Sequence, residues 1–280
     1  MGAGPLARRA KRLMVGQVRA VFNDQARGEK PVVRSDDGLF GRASVVWRVH
    51  GDVTTMMVGG VAALLLQMLH PAVLAGVWDH SNFRSDMLGR LRRTARFISL
   101  TSYGSRDEAE GAMARVRAVH DKVVGTLPDG TPYAANDPHL LAWVHVTEAT
   151  SFLDAWIRYA EPDMPLREQD RYFAEMVRIA EALGADPVPR SRAEANQLIE
   201  SMRGELAVSQ RTHKVARLVL EQRSSHMMVA PVQALTFGAA VDLLPDWARR
   251  MHGFRKSRLA RPLVRAGTSG IARTLRWAFS

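Results

Sequence analysis

The chain contains no cysteine in its 280 residues. That absence excludes disulfides, thiolate metal sites, a thiolate haem ligand and a cysteine nucleophile. Long apolar runs are also missing, since the most apolar stretch, Met56 to Leu69, has 14 residues and includes Gln67. A membrane-spanning helix needs about 20 residues, so this stretch predicts a buried helix of the protein core.

Several catalytic motifs are missing as well. The sequence has no G-x-S-x-G, no H-E-x-x-H, no glycine-rich phosphate loop and no dinucleotide fingerprint. These absences argue against the classical hydrolases, zinc proteases and nucleotide-binding enzymes that carry such motifs. A non-haem iron site needs two histidines and a carboxylate that converge on one point. His120, His145 and Glu148 could be arranged in that way, but no tight motif supports it.

Acidic residues are absent from 247–280, which carries nine Arg and Lys, and 1–30 carries seven Lys and Arg with two acids. Because the net charge is +11, the remaining stretch, 31–246, is slightly acidic at −3. We therefore predict a basic N-terminal helical segment (1–30), a folded body (31–246) and a basic amphipathic C-terminal tail (247–280). The few apolar residues after the first basic cluster do not form a convincing targeting segment.

Helical periods dominate the body, and the predicted fold class is all-α. Only Val45–Val49 alternates like a strand. The predicted helices cover 5–27, 54–69, a segment that begins at Pro71, 86–101, 106–124, 138–160, 167–183, 192–208, 212–223 and 226–243. Residues 128–132 are predicted to form a plain loop.

Two histidines lie on apolar helical faces. His120 shares a face with Met113 and Val116, and His145 shares one with Leu141 and Phe152. A buried imidazole needs a hydrogen-bond partner or a metal. A single such histidine is more often a hydrogen-bonded core residue, but two in neighbouring helices favour a shared ligand such as a porphyrin iron.

Arg90 and Thr94 are four residues apart, so they share a helix face. They could belong to a solvated basic helix, or they could direct a guanidinium and a hydroxyl into a pocket. Arginine can anchor a propionate or polarise dioxygen. His70 precedes a proline and therefore lies near a helix end, where it could cap backbone groups or line the pocket.

The basic tail mixes tryptophan, phenylalanine and leucine with its arginines. This composition suits a peripheral helix on an anionic membrane surface, and it suits equally a helix that packs on the body with a solvated charged side. Nucleic-acid binding is not expected, because the basic residues are terminal and no recognition motif accompanies them.

Seven short segments together resemble a known family. They are Trp47–Asp52, Gln67–Val77, Asp79-His80-Ser81, Arg90-Leu-Arg-Arg-Thr94, Tyr103-Gly104, Val116-Arg-Ala-Val-His120 and Trp143-Val-His145. Their order and spacing are similar to those of the DUF2236 family, which contains the latex-clearing rubber oxygenases and the fungal MpaB oxygenase of mycophenolic acid biosynthesis. The resemblance covers about residues 38–240.

The resemblance implies a globin-related helical bundle that encloses haem b within 31–246. It implies that His120 is the axial iron ligand and that Arg90 and Thr94 lie on the distal side, where dioxygen reacts. His145 and His70 are further candidate haem contacts, and His145 competes with His120 as axial ligand. The implied activity is a dioxygen-dependent oxygenase that acts on an apolar, isoprenoid or lipid-like substrate.

Two departures from the family narrow this expectation. The rubber enzymes use a distal glutamate as a base, whereas the stretch from His70 to Arg90 contains only Asp79 and Asp86. A lysine that caps the iron in some members falls at Arg93, which stays protonated and cannot be a ligand. A haem carrier or sensor and a cofactor-free membrane-associated protein are the alternatives. We expect a cytoplasmic protein, with the tail as a contact to the inner membrane face.

Overall fold

The fold is described from a computed structural model that covers residues 28–222, 230–254 and 260–279, with Lys11 and Gly16. It is 70% helical, with twelve α-helices and one two-stranded hairpin in these ranges, which confirms the all-α class. The predicted helix at 5–27 lies outside the described residues. The helices are α1 (Val45–His50), α2 (Val53–Gln67), α3 (Pro71–His80), α4 (Met87–Tyr103), α5 (Arg106–His120), α6 (Pro138–Tyr159), α7 (Leu166–Leu183), α8 (Arg192–Ser201), α9 (Gln210–Leu220), α10 (Ala230–Leu243), α11 (Asp246–Met251) and α12 (Ala260–Phe279).

The strand-like run is a helix, so that prediction is wrong. Ser44 caps α1 by accepting a hydrogen bond from the Trp47 amide, which satisfies one of the free donors at a helix start. Most of α1 is buried, including Val45, Val46 and Val49. Arg48 is the one exposed residue of this short helix, and a single polar position is too little to reveal a helical period.

The only strands in the described ranges, β1 (Val124–Thr126) and β2 (Pro132–Ala134), flank the predicted loop and pair antiparallel. Between them, Gly130 adopts a positive φ of 91°, which glycine does without the steric cost of a side chain. Strand β1 also explains why α5 stops at His120 instead of 124. This places His120 in the last turn of its helix.

Helix α6 is the centre of the molecule, and α2 is the helix that packs most extensively against it. Gly59 makes this packing close, because a Cβ at that position would come within 2.8 Å of the Ser151 carbonyl oxygen. One core cluster joins α1, α6 and α7 through side chains such as Trp143 and Phe173. A second joins α2, α9 and α10 on the other side.

Helices α10, α11 and α12 close the fold at its C-terminal end, and we call them the closing helices. Arg276 of α12 binds the carboxylate of Asp52 at 2.5 Å and the Tyr159 carbonyl at 2.8 Å. Arg265, also of α12, binds Asp242 of α10 at 2.6 Å. The described part of the tail therefore packs on the body, while the division of the chain into three parts stays a prediction.

No single helix in the described ranges has the length and apolar character to cross a membrane. Helices α2 and α3 reach that threshold only as a pair, and their axes bend by 104° at the break between them. The core helix predicted at 54–69 is α2, and its buried side includes Val58, Leu65 and Leu66.

Candidate active site

A largely apolar cleft opens between α2, α3, α4 and α9, and we call it the Arg90 cleft. Among its lining residues only Gln67 and Arg90 are polar. The lining residues are Leu64, Gln67, Met68, Val73, Leu74, Val77, Phe83, Met87, Arg90, Leu91, Val215 and Val219. Its closed part measures about 50 Å³, which is room for a few water molecules. A ligand would therefore lie along the cleft, and a porphyrin would need space beyond it.

Arg90 projects from the first turn of α4, which Asp86 caps through the Gly89 amide. No carboxylate in the part of the chain that the structure describes forms an ion pair with Arg90. Burial lowers the pKa of the Arg90 guanidinium, and the nearby charge of Arg93 lowers it further. A partly buried guanidinium without a counter-ion is costly, so this position favours an anionic or strongly polar ligand.

Thr94 lies one turn after Arg90, as the spacing predicts, but it is exposed. Its hydroxyl donates a hydrogen bond to the Arg90 carbonyl oxygen at 3.2 Å. This bond within the helix is typical of threonine in helices. The hydroxyl can still accept a hydrogen bond, but to donate one to a ligand it must first leave this carbonyl.

His120 faces the same region as Arg90, since the charge of Arg90 lowers the pKa of His120. Burial is the larger cause of that lowering, and Asn136 and Asp121 oppose it. The Nδ1 atom of His120 is buried and has no hydrogen-bond partner among the described residues. Arg90 and His120 are therefore near enough for their charges to interact, and the Asn136 side chain is close to His120, although the His120 Nδ1 atom forms no hydrogen bond of normal geometry in the described ranges.

His145 and Glu148 are three residues apart on α6, so they share a helix face. The Nε2 atom of His145 is buried without a partner in the described ranges, and burial lowers its pKa to about 4. Burial also raises the pKa of Glu148 to about 7. Both residues are half-buried.

Glu148 borders a buried polar network that sequence reasoning missed. Its carboxyl group raises the pKa of Tyr172 on α7, in addition to the effect of burial. The Tyr172 hydroxyl lies 2.9 Å from His50 Nε2, and the His50 Nδ1 atom lies 2.7 Å from the Ser102 hydroxyl. Pairs that are 52 and 122 residues apart in sequence leave no local signal by which they could have been found.

His70 has a structural position in this fold. Its Nδ1 atom accepts a hydrogen bond from the Ala72 amide and caps α3. Its Nε2 atom lies 3.3 Å from the carboxylate of Glu205, which also binds His139 at 2.9 Å. Both ring nitrogens of His70 thus have protein partners, and this places His70 at a helix cap rather than at a free ligand position.

Comparison with known families decides the class of this site. A family model described as "ER-bound oxygenase mpaB/B'/Rubber oxygenase, catalytic domain" matches residues 47–277. The chain belongs to this family. It is therefore an oxygenase domain, and the match confirms the resemblance seen in the sequence. No curated protein and no solved structure matches the chain.

The matched residues of this oxygenase include every candidate site residue and most of the closing helices. Within the described ranges, no three His, Cys, Asp or Glu side chains come together as a metal site. A metal held by protein side chains alone thus finds no ligand set there, and the imagined site of His120, His145 and Glu148 is not formed. Single unpartnered imidazoles suit a metal that brings most of its own ligands.

Proposed function

We propose that this oxygenase depends on haem b and uses dioxygen on an apolar, isoprenoid or lipid-like substrate. The observations that carry the proposal are a buried His120 Nδ1 atom that forms no hydrogen bond of normal geometry and an Arg90 guanidinium without an ion pair, both within the described residues and on adjacent helices. Haem offers an iron that binds imidazole and two propionates that bind guanidinium. Each of the two side chains would therefore gain the partner it lacks.

The donor chemistry of the chain fits this group. A porphyrin supplies four nitrogen ligands, so the protein needs to provide only one or two, and His120 would hold the iron. When bound, haem would supply the redox-active iron that makes dioxygen reactive. Because Arg90 keeps its charge, it would hold either a propionate or the oxygen side of the pocket, with Thr94 one turn away.

The Arg90 cleft supports an apolar substrate. Its walls are valine, leucine, methionine and phenylalanine side chains, which gain free energy when they exchange water for an apolar chain. Glu148 on α6 is a carboxyl group outside the cleft lining that can take up or release a proton near neutral pH, given its pKa of about 7. It would serve in place of the glutamate that the stretch from His70 to Arg90 lacks.

Reconstitution with haemin tests the proposal. The wild-type protein should give a Soret band, and His120→Ala should lose or strongly shift it. His139→Ala is the matched control, because His139 is an exposed histidine that pairs with Glu205. A wild-type protein that gives no Soret band, or a His120→Ala spectrum identical to that of wild type, contradicts the proposal.

A haem carrier or sensor is the second candidate, and the unpartnered Nε2 of His145 favours it. If His120 and His145 both bind the iron, the spectrum will be six-coordinate and low-spin, and carbon monoxide will not change it. An oxygenase needs an open position, so its reduced spectrum should shift with carbon monoxide. His145→Ala separates the two cases, because it opens the iron only if His145 is a ligand.

Peripheral membrane contact through α12 is a separate proposal. Leu263 is 74% exposed and Trp277 44% exposed on a helix that is rich in arginine, as in interfacial helices. Co-sedimentation with anionic vesicles should weaken in Leu263→Glu. A point change is preferable to a deletion, because Arg276 of the same helix binds Asp52. Unchanged co-sedimentation of Leu263→Glu would contradict membrane contact through this face of α12.

A further inference from the structure

Three cations surround one aromatic ring at the edge of the Arg90 cleft. Arg84, Arg211 and Lys214 lie 4.9, 5.2 and 5.6 Å from the centroid of the Trp78 ring. Trp78 is half-buried and packs against Phe83 with ring centroids 5.7 Å apart. We call the three cations with Trp78 the basic rim.

The basic rim borders the cleft directly. Phe83 lines the cleft, and its ring packs against Trp78 at 5.7 Å and lies 5.2 Å from the Arg84 guanidinium. The rim therefore joins α3, the segment before α4 and α9 around one side of the opening. A molecule in the cleft would extend from apolar walls to positive charge.

The charges of the basic rim are incompletely balanced. Asp79 binds Arg211 at 3.3 Å, and its carboxylate also accepts a hydrogen bond from Tyr133. Arg84 donates only to the Trp78 carbonyl oxygen, and Lys214 has no ion pair within the described residues. Cation–π contacts at exposed sites contribute only about 0.5–1 kcal/mol each, so they compensate little of the mutual repulsion of three cations.

We propose that the Arg90 cleft binds a single-chain amphiphile whose apolar chain lies along the cleft and whose anionic head group meets Arg84 and Lys214. The apolar walls of the cleft suit the chain, and the exposed cations of the rim suit the head group. The inference deepens the proposed function, because on that function the chain is the substrate of the oxygenase. Binding itself does not depend on haem and is testable without it.

Titration of the haem-free protein with three probes of equal chain length tests the head group. Tetradecanoate and tetradecyl phosphate should bind about tenfold more tightly than tetradecanol, as measured by calorimetry below their micelle concentrations. Trp78 provides an optical readout, because binding at the rim should change its fluorescence and Trp78→Phe should remove that change. Equal affinity for the alcohol and the two anions would overturn the proposal.

The double variant Arg84→Gln/Lys214→Gln tests the rim itself. It should lose most of the preference for the anions and keep its affinity for the alcohol. Arg115→Gln/Lys122→Gln is the matched control, since both are exposed cations that do not line the cleft. A rim variant that still prefers the anions, or binding only to phosphatidylglycerol vesicles and not to the free amphiphiles, would overturn the assignment.

The two proposals fail in different ways. A protein that binds tetradecanoate through the rim but gives no Soret band with haemin supports the amphiphile site and contradicts haem dependence. A protein with a His120-dependent Soret band and no preference for anionic amphiphiles contradicts the amphiphile site alone.

Discussion

The closing helices and the face formed by α4, α5 and α6 differ in how their charged side chains are paired. In the closing helices, the Asp242 side chain is only 4% exposed and has Arg158 at 3.3 Å and Arg265 at 2.6 Å. On the other face, Arg90 has no ion pair among the described residues, and His120 Nδ1 and His145 Nε2 have no hydrogen-bond partner there. The buried carboxylate of the closing helices is thus paired with guanidinium groups, although the Thr268 hydroxyl there is buried without a partner in the described ranges, whereas the Arg90 guanidinium has no carboxylate.

This difference indicates where stability and where function are to be sought. A buried polar atom without a partner costs about 1–3 kcal/mol, so a protein gains nothing in stability by keeping one. Paired groups such as Asp242 and Arg265 are explained by the fold itself. The unpartnered imidazoles and guanidinium of α4, α5 and α6 are explained if a ligand completes them.

Removal of Asp242 should give the largest effect. In Asp242→Ala, Arg158 and Arg265 lose a shared carboxylate and the 5% exposed Arg249 loses a neighbour at 4.0 Å. Breaking a buried ion pair costs about 3–5 kcal/mol because a charge is left uncompensated. Urea denaturation of the haem-free protein measures this loss of unfolding free energy.

Glu110→Gln is the matched control for Asp242→Ala. Its partner Arg106 lies 4.0 Å away, and both side chains are more than half exposed, so the loss should be within about 0.5 kcal/mol. If Asp242→Ala loses no more unfolding free energy than this control, the ion pairs of the closing helices do not stabilise the fold, and the contrast between the two regions is wrong.

Replacement of His50 should give the next largest effect. His50 is a buried histidine whose two ring nitrogens both have partners, in contrast to His145. His50→Leu would leave the hydroxyls of Tyr172 and Ser102 without this partner, and we expect a loss of about 2–3 kcal/mol. The measurement is again urea denaturation. A neutral result would mean that partnered and unpartnered histidines do not differ in cost.

The sequence predicts most helices of this fold because their signals are local. The capping box of Ser105 and Glu108 begins α5 as expected, and Asp137 with Pro138 begins α6. Helix ends were predicted less well, as at His120, because β1 and its pairing with β2 decide where α5 stops. Val45–Val49 looks strand-like in sequence because its one exposed residue, Arg48, is too little to show a helical period.

The candidate site was predicted by resemblance more than by local pattern. The order of the segments identified the family and placed Arg90 and His120, which the structure brings together. The partners of His70 could not be predicted, since Glu205 is 135 residues away. The raised pKa of Glu148 results from burial in the folded chain, and the position of Glu148 in the sequence does not indicate that burial. The contact between Asp52 and Arg276 could not be predicted either, because the two residues are 224 residues apart in sequence.

The pH dependence of stability tests the unpartnered face through Glu148. Its pKa is about 7 when folded and 4.5 in the reference state, so the folded chain binds its proton more tightly. The stability from this proton is complete below pH 4.5 and is lost as the pH rises through 7. Between these values the loss is at most about 1.4 kcal/mol per pH unit, and about half of that for a half-buried group.

Glu148→Gln removes this contribution. Its unfolding free energy, relative to wild type, should therefore rise steadily from pH 5 to pH 7, as measured by urea denaturation of the haem-free proteins at each pH. Glu110→Gln, at the exposed pair, should run parallel to wild type. Parallel lines for Glu148→Gln would show that its carboxyl is solvated like a surface group.

Replacement of His145 should give the smallest effect, and its sign is the sharpest test of the comparison. Leucine has a similar size and no ring nitrogen that needs a partner, so His145→Leu should stabilise the haem-free protein by about 0.5–1 kcal/mol. His50→Leu makes the same chemical change and should act in the opposite direction. A loss of stability in haem-free His145→Leu would mean that its Nε2 has a partner in the fold. A gain of stability in haem-free His145→Leu, combined with a weaker or altered Soret band after haemin is added, would mean that the His145 Nε2 atom binds a ligand.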